Sequence, residues 1–168
     1  MTRSRLEIAV LQIKFSRRYT LGLLEDIDVT DWFRQPPECP THVAWQVGHL
    51  AMAQYALTMI RLRGKEPEDE QVIAADFFRR FQKGTQPDAD PAIYPSVSEI
   101  RETFARVHEH SLQELETHSD ADLDVKLPEP HAVFDTKLGS VFFCSAHELI
   151  HAGQIGLLRR LLGKDPVR

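Results

Sequence analysis

The sequence predicts an all-α protein: a four-helix bundle with long crossover connections, forming one domain over residues 1–168. Three observations lead there. Four long segments carry apolar residues at a spacing that lines them up on one side of a helix, at about 100° per residue. The stretches between them are broken by proline or crowded with charge. Two of those connections are longer than the tight turns of a simple up-and-down bundle. A chain of 168 residues suits one domain with an adequate core.

Taken in order, Arg5 to Asp26 sets Ile8, Leu11, Phe15, Tyr19 and Leu23 in helical register. We read these as the buried stripe, and Glu7, Lys14, Arg17 and Arg18 as a solvated face. Asp28 to Pro40 is a loop holding Trp32, Phe33 and the pair Pro36–Pro37, which cannot continue a helix. Thr41 is the expected N-cap of a second helix. That helix ends near Gly64, with Arg61 and Arg63 in its last turn, where cations suit the dipole. Its stripe, Trp45, Met52, Ala53, Ala56 and Ile60, has His49 in the middle.

Lys65 to Gln71 is a charged linker, and Val72 to Phe81 a short helix with Ile73, Phe77 and Phe81 in register, closed by Gly84. Thr85 to Pro95 carries three prolines and is loop. Ser96 and Glu99 make the S-x-x-E pattern that opens a helix. Ile100, Phe104, Val107 and Leu115 carry that third long helix to His118. His108 and His110 are flanked by charge and read as surface residues. Ser119 to Gly139, with Pro128, Glu129, Pro130, His131 and Phe134, is the longest connection, a length at which loops are often functional. It is expected to roof the site described next. A two-stranded hairpin inside it is left out of the element count.

The chemistry concentrates in the fourth segment, Ser140 to Leu162. A helix there puts Phe143, His147, Ile150, His151, Gln154, Leu158 and Leu161 on one stripe. Histidines four apart point two imidazoles the same way, one turn apart, as a divalent metal requires. An arbitrary pair of this kind is more often two hydrogen-bonded core histidines. His49 on the facing helix changes that weighting, because three inward nitrogens from two helices can close a facial site. Three neutral imidazoles suit zinc, and nickel and iron also accept nitrogen ligands. Binding is expected to weaken below about pH 6, where free imidazole protonates.

Neighbouring residues carry two readings each. Gln154 would hydrogen-bond a ligand or a bound water, or make a polar contact near the helix end. Cys144, one turn before His147, would approach the ion or act as a small buried hydrophobe. Glu148 would be a surface residue or would orient an imidazole from behind. Trp45 reads as core rather than as a substrate platform.

HELIH (His147 to His151) is also the H-E-x-x-H pattern of zinc proteases, with Glu148 as general base. The rest of the pattern is missing. Leu157 stands where one protease class needs a third histidine, and Asp165 is the sole carboxylate after His151.

Composition excludes other classes. Net charge is −5 with no basic block, which argues against nucleic-acid binding. No apolar run approaches the roughly 18 residues of a membrane span. Glu7, Gln12 and Lys14 interrupt what would be the apolar core of a signal peptide. Cys39 and Cys144 form neither a C-x-x-C nor a disulfide framework, so a reducing cytoplasm is expected. Phe77, Phe78 and Phe81 crowd one short segment and suggest an apolar surface for a homodimer.

WQVGHLA (Trp45 to Ala51) and HELIHAGQIGLLRRLLG (His147 to Gly163), with an aromatic short helix and YPS (Tyr94 to Ser96) between them, carry a family likeness. The chain resembles the DinB-like metal-binding proteins of the DinB/YfiT superfamily. The resemblance covers nearly the whole chain. It implies a four-helix bundle with a three-histidine metal site, the ligands falling on His49, His147 and His151. It also implies a metal-dependent enzyme of thiol S-transferase or isomerase type, using a low-molecular-weight thiol with a small-molecule substrate. The alternatives are a non-catalytic metal-binding bundle and a metal-dependent hydrolase using bound hydroxide.

Overall fold

The computed structural model describes residues 3–167. Its elements are α1 (Arg5–Leu24), α2 (Val43–Tyr55), α3 (Arg61–Arg63), α4 (Ala75–Phe81), α5 (Val97–Glu116), α6 (Asp120–Leu123) and α7 (Lys137–Leu161). A π-helical turn, Ala56–Ile60, joins α2 to α3, so the two run as one long rod. The described residues contain no strand, only an isolated antiparallel bridge between Lys126 and Thr136. The all-α bundle is as expected.

Helix directions follow from side-chain pairs. Arg17 meets Glu148, and Arg159 reaches the carbonyl of Leu23, so α1 and α7 run parallel. Gln54 meets His108, Thr58 meets Ser111 and Arg63 meets Glu114, so the α2–α3 rod and α5 are parallel too. Gln46 bonds His151 while Leu57 accepts from Ser140, so α2 runs against α7. Two parallel neighbours in sequence need a return along the length of the bundle. The segment from Gly64 to Ser96 makes that return, and α4 lies within it against α2. α1 packs on α7 and α2 on α5, while α1 and α5 stand apart except where Arg17 bridges them.

Local signals explain most boundaries. Ser4, Ser96, Ser119 and Thr136 cap α1, α5, α6 and α7 through their hydroxyls. α7 thus begins three residues before the expected Ser140. The cap of α2 is His42, whose Nδ1 accepts from Trp45 N, and not Thr41, whose hydroxyl accepts from Gln46. Gly64 and Gly84 take φ of 93° and 96°, the left-handed turns that end α3 and the α4 segment. α4 starts at Ala75 rather than the expected Val72, because the N–H groups of Val72 and Ile73 bond back to the carbonyl of Asp69 in a preceding 3-10 turn, Pro67–Gln71.

The first helix is rotated from its expected orientation. Ile8, Leu11, Phe15 and Tyr19 are exposed, and the core face is Leu6, Ala9, Ile13, Ser16, Arg17, Thr20, Leu23 and Leu24. Arg17 is therefore buried rather than solvated. α7 repeats the pattern: Ile150 and Leu161 of the predicted stripe are exposed, and Val141, Cys144, Glu148, Ala152 and Ile155 face the core. The aromatic cluster of α4 is no surface patch. Phe77 and Phe81 are buried, with Phe78 packed at the core edge.

Candidate metal centre

His49 comes from α2, and His147 and His151 from successive turns of α7. The antiparallel packing of the two helices brings one ring nitrogen of each histidine within 4.8 Å of the others. A tetrahedral ion with bonds of about 2.0–2.1 Å holds its nitrogens at about 3.3 Å, so the rings stand open by at most about 1.5 Å relative to a loaded site. Ring centroids lie 4.5 Å apart for His147 and His151, 4.8 Å for His49 and His151, and 5.3 Å for His49 and His147.

Two of the rings are held from behind. His49 Nδ1 donates to the carbonyl of Phe81 at 2.7 Å, because a carbonyl can only accept. His151 Nδ1 donates to Gln46 Oε1 at 2.6 Å, and the Gln46 amide nitrogen in turn donates to Thr41. Both bonds put the proton on Nδ1 and leave Nε2 bare toward the cluster. Metal-ligating histidines carry such partners. Trp45 stacks flat on His49, at 4.8 Å and 9° between planes, and its Nε1 donates to Thr85.

Gly48 makes the Phe81 contact possible. A Cβ there would fall 2.4–2.6 Å from atoms of the Phe81 ring. The glycine lets the end of α4 press against α2 and deliver its carbonyl to His49.

Electrostatics favour ligation. Burial lowers the pKa of His49, takes His147 to about 4 and takes His151 to about 3, with the neighbouring imidazoles adding to the last two. The set is neutral at pH 7, the state a metal needs.

The remaining candidates fall elsewhere. Glu148 orients no imidazole: it is 2% exposed and receives Arg17 Nε at 2.9 Å. The protease reading thereby loses its general base. Cys144 lies in the apolar core, its thiol pushed far up by burial, and is outside the histidine group. Gln154 is exposed.

The long connection does reach the site. His131 stacks on Phe134 at 4.6 Å and lies 5.5 Å from Phe143, whose ring is 5.7 Å from His147. Sequence reasoning missed Gln46, the Phe81 carbonyl and the partial burial of His108, which is paired to Gln54. Gln46 was open to inference: it stands three residues before His49, one helical turn away, on the same helix.

With this geometry in place, the comparison with family models is specific. The DinB superfamily model matches residues 12–155, most of the chain and all three histidines. The chain belongs to the DinB superfamily. A search of curated proteins returned no match. Among the described residues, no helix is long and apolar enough to cross a membrane.

Proposed function

We propose that this protein is a metal-dependent enzyme that activates a low-molecular-weight thiol for transfer to, or isomerisation of, a small electrophile. The observation that carries the reading is the convergence of three neutral imidazoles, two of them with Nε2 freed by a fixed Nδ1 bond. His49, His147 and His151 would hold zinc or nickel, with iron also compatible. A divalent ion on three neutral ligands supplies Lewis acidity, which deprotonates a thiol or lowers the pKa of water to about 7. The chain's own part is orientation. Phe81 and Gln46 fix His49 and His151, Trp45 stacks on His49, and His131, Phe134 and Phe143 offer an aromatic wall for the electrophile. A reducing compartment suits the two free cysteines.

A passive metal-binding role is the second reading. It is favoured by the position of two cavities of about 680 and 690 Å³, which are lined by none of the three histidines.

The test has two parts. Protein purified without a histidine tag should hold near-stoichiometric metal, and His147→Ala or His151→Ala should remove most of it. The loaded protein is then screened with several low-molecular-weight thiols against a chlorinated aromatic and an epoxide. Turnover lost in His151→Ala supports the enzyme. Equal rates for both proteins across the panel leave the passive role.

A further inference from the structure

The seam between α1 and α5 is where the bundle is least closed, and it holds a cavity of about 290 Å³. Its walls are apolar: Leu21 and Leu24 from α1, Phe104 and Ala105 from α5. Arg17 and His108 line it as well, and both have hydrogen-bonding capacity left over.

Arg17 has five N–H donors. Nε and one Nη2 hydrogen go to Glu148, at 2.9 and 3.4 Å. The other Nη2 hydrogen goes to Gln54 Oε1 at 2.7 Å, and one Nη1 hydrogen to the carbonyl of Phe104 at 2.8 Å. The second Nη1 hydrogen has no partner among the described residues. Arg17 can only donate, which fixes the Gln54 amide with its oxygen toward the guanidinium. Gln54 Nε2 therefore donates to His108 Nδ1, at 3.2 Å. That places the His108 proton on Nε2, where it too has no partner among the described residues. An apolar groove with two spare donors calls for a ligand with an acceptor at one end. Charge around the groove is mixed, with Arg17 paired to Glu148 and both Arg101 and Glu25 among the lining residues. Arg17 and Lys14 nevertheless both act on His108 as positive neighbours, and two N–H donors side by side, one on a guanidinium, suit a carboxylate. At about 30 Å³ per small heavy atom, the cavity holds roughly ten.

We propose that the α1–α5 seam is a second ligand site, for a small apolar monocarboxylate. Its carboxylate accepts from Arg17 Nη1 and His108 Nε2, and its hydrocarbon lies along Leu21, Leu24 and Phe104. The site is separate from the three histidines and stands whether or not the metal-dependent reading holds.

The experiment titrates benzoate and octanoate into metal-free and zinc-loaded protein by calorimetry and by chemical-shift mapping. Saturable binding is expected in both forms, with Kd below about 1 mM for ligands of this size. Ala105→Trp, which fills the groove from an exposed position, and His108→Leu should each weaken binding about tenfold or more, the loss of a hydrogen bond to a charged group. Both should leave the metal content near wild type, and Ala105→Trp the melting temperature as well, whereas His108→Leu strands the buried Gln54 amide and lowers it somewhat. Benzamide should bind at least about tenfold more weakly than benzoate on the same argument. The proposal is overturned if no saturable binding is found, or if the groove variants bind as wild type does. It is equally overturned if binding needs zinc and vanishes in His151→Ala, because the carboxylate then sits on the metal.

Discussion

Gly48 shows how one missing methyl group sets up a ligand. Alanine there cannot coexist with Phe81 in place, and forcing extra atoms into a packed site costs about 1–3 kcal/mol. The relief is to push α4 outward, which breaks the bond from His49 to the Phe81 carbonyl. Gly48→Ala should then weaken metal binding about 10- to 100-fold, the usual effect of losing a partner behind a ligand. Calorimetric titration with zinc would measure it, and an unchanged affinity would mean that the Phe81 bond does not matter. The histidines also set a pH profile. Unfolded imidazole titrates near 6.5. In the folded chain burial holds His42, His108 and His147 at about 4 and His151 at about 3. Between those limits the unfolded state binds protons that the folded state refuses. Stability is thus full above about pH 6.5 and falls as pH drops toward 4. Denaturant midpoints of the metal-free protein, measured from pH 7 to pH 4.5, should decline steadily. The same shifts move proton competition for the metal from about pH 6 toward pH 4.

At the scale of the element, α7 has two duties on adjacent faces. One presents His147 and His151; the other buries Glu148 against Arg17 of α1, with Gln54 of α2 and the Phe104 carbonyl of α5 completing the contacts. Burial works against the Arg17 charge and Glu148 opposes that pull. Removing one partner leaves an isolated buried charge, so Arg17→Ala or Glu148→Ala should cost about 3–5 kcal/mol, whereas Arg17→Met with Glu148→Leu should cost much less. Chemical denaturation of the three variants tests this. If Glu148→Ala were as stable as wild type but catalytically dead, Glu148 would be a reacting group after all. This pair also explains what could be read from sequence. His147 and His151 were legible because a four-residue spacing needs only one helix to interpret. The rotation of α1 was not. Ile8, Leu11, Phe15 and Tyr19 form a larger apolar stripe than the smaller residues Ala9, Ser16 and Thr20 of the true core face. What turns the helix is Arg17, whose partner lies 131 residues away.

For the whole molecule, the rejected stripe becomes informative. α1 and α7 pack side by side, and each shows a second apolar face to solvent: Ile8, Leu11, Phe15 and Tyr19 on one, Ile150, Leu157 and Leu161 on the other. These side chains are 40–58% exposed. At about 150–250 Å² for a large apolar side chain, their open area is about 700 Å². That approaches the roughly 800 Å² per partner that stable interfaces bury, and it exceeds the largest patch on most monomers. We propose that this face, rather than the α4 phenylalanines, would carry the expected homodimer, with a second copy of the chain as occupant. Sedimentation at micromolar concentration should give twice the 19.2 kDa chain mass, and Phe15→Glu with Ile150→Glu should return a monomer. A wild-type monomer would refute the interface.

The partnership of α1 with α7 also has a meaning in time. A ribosome adds about 5–20 residues per second, so the 131 residues from Arg17 to Glu148 take roughly 7–26 s to make. Throughout that interval the nascent chain carries α1 without the helix that covers it, with both of its apolar faces open. α7, when it emerges, brings the counter-charge for Arg17 and two of the three histidines together. Closure of the core and assembly of the candidate metal centre thus become a single event, delayed until α7 has emerged.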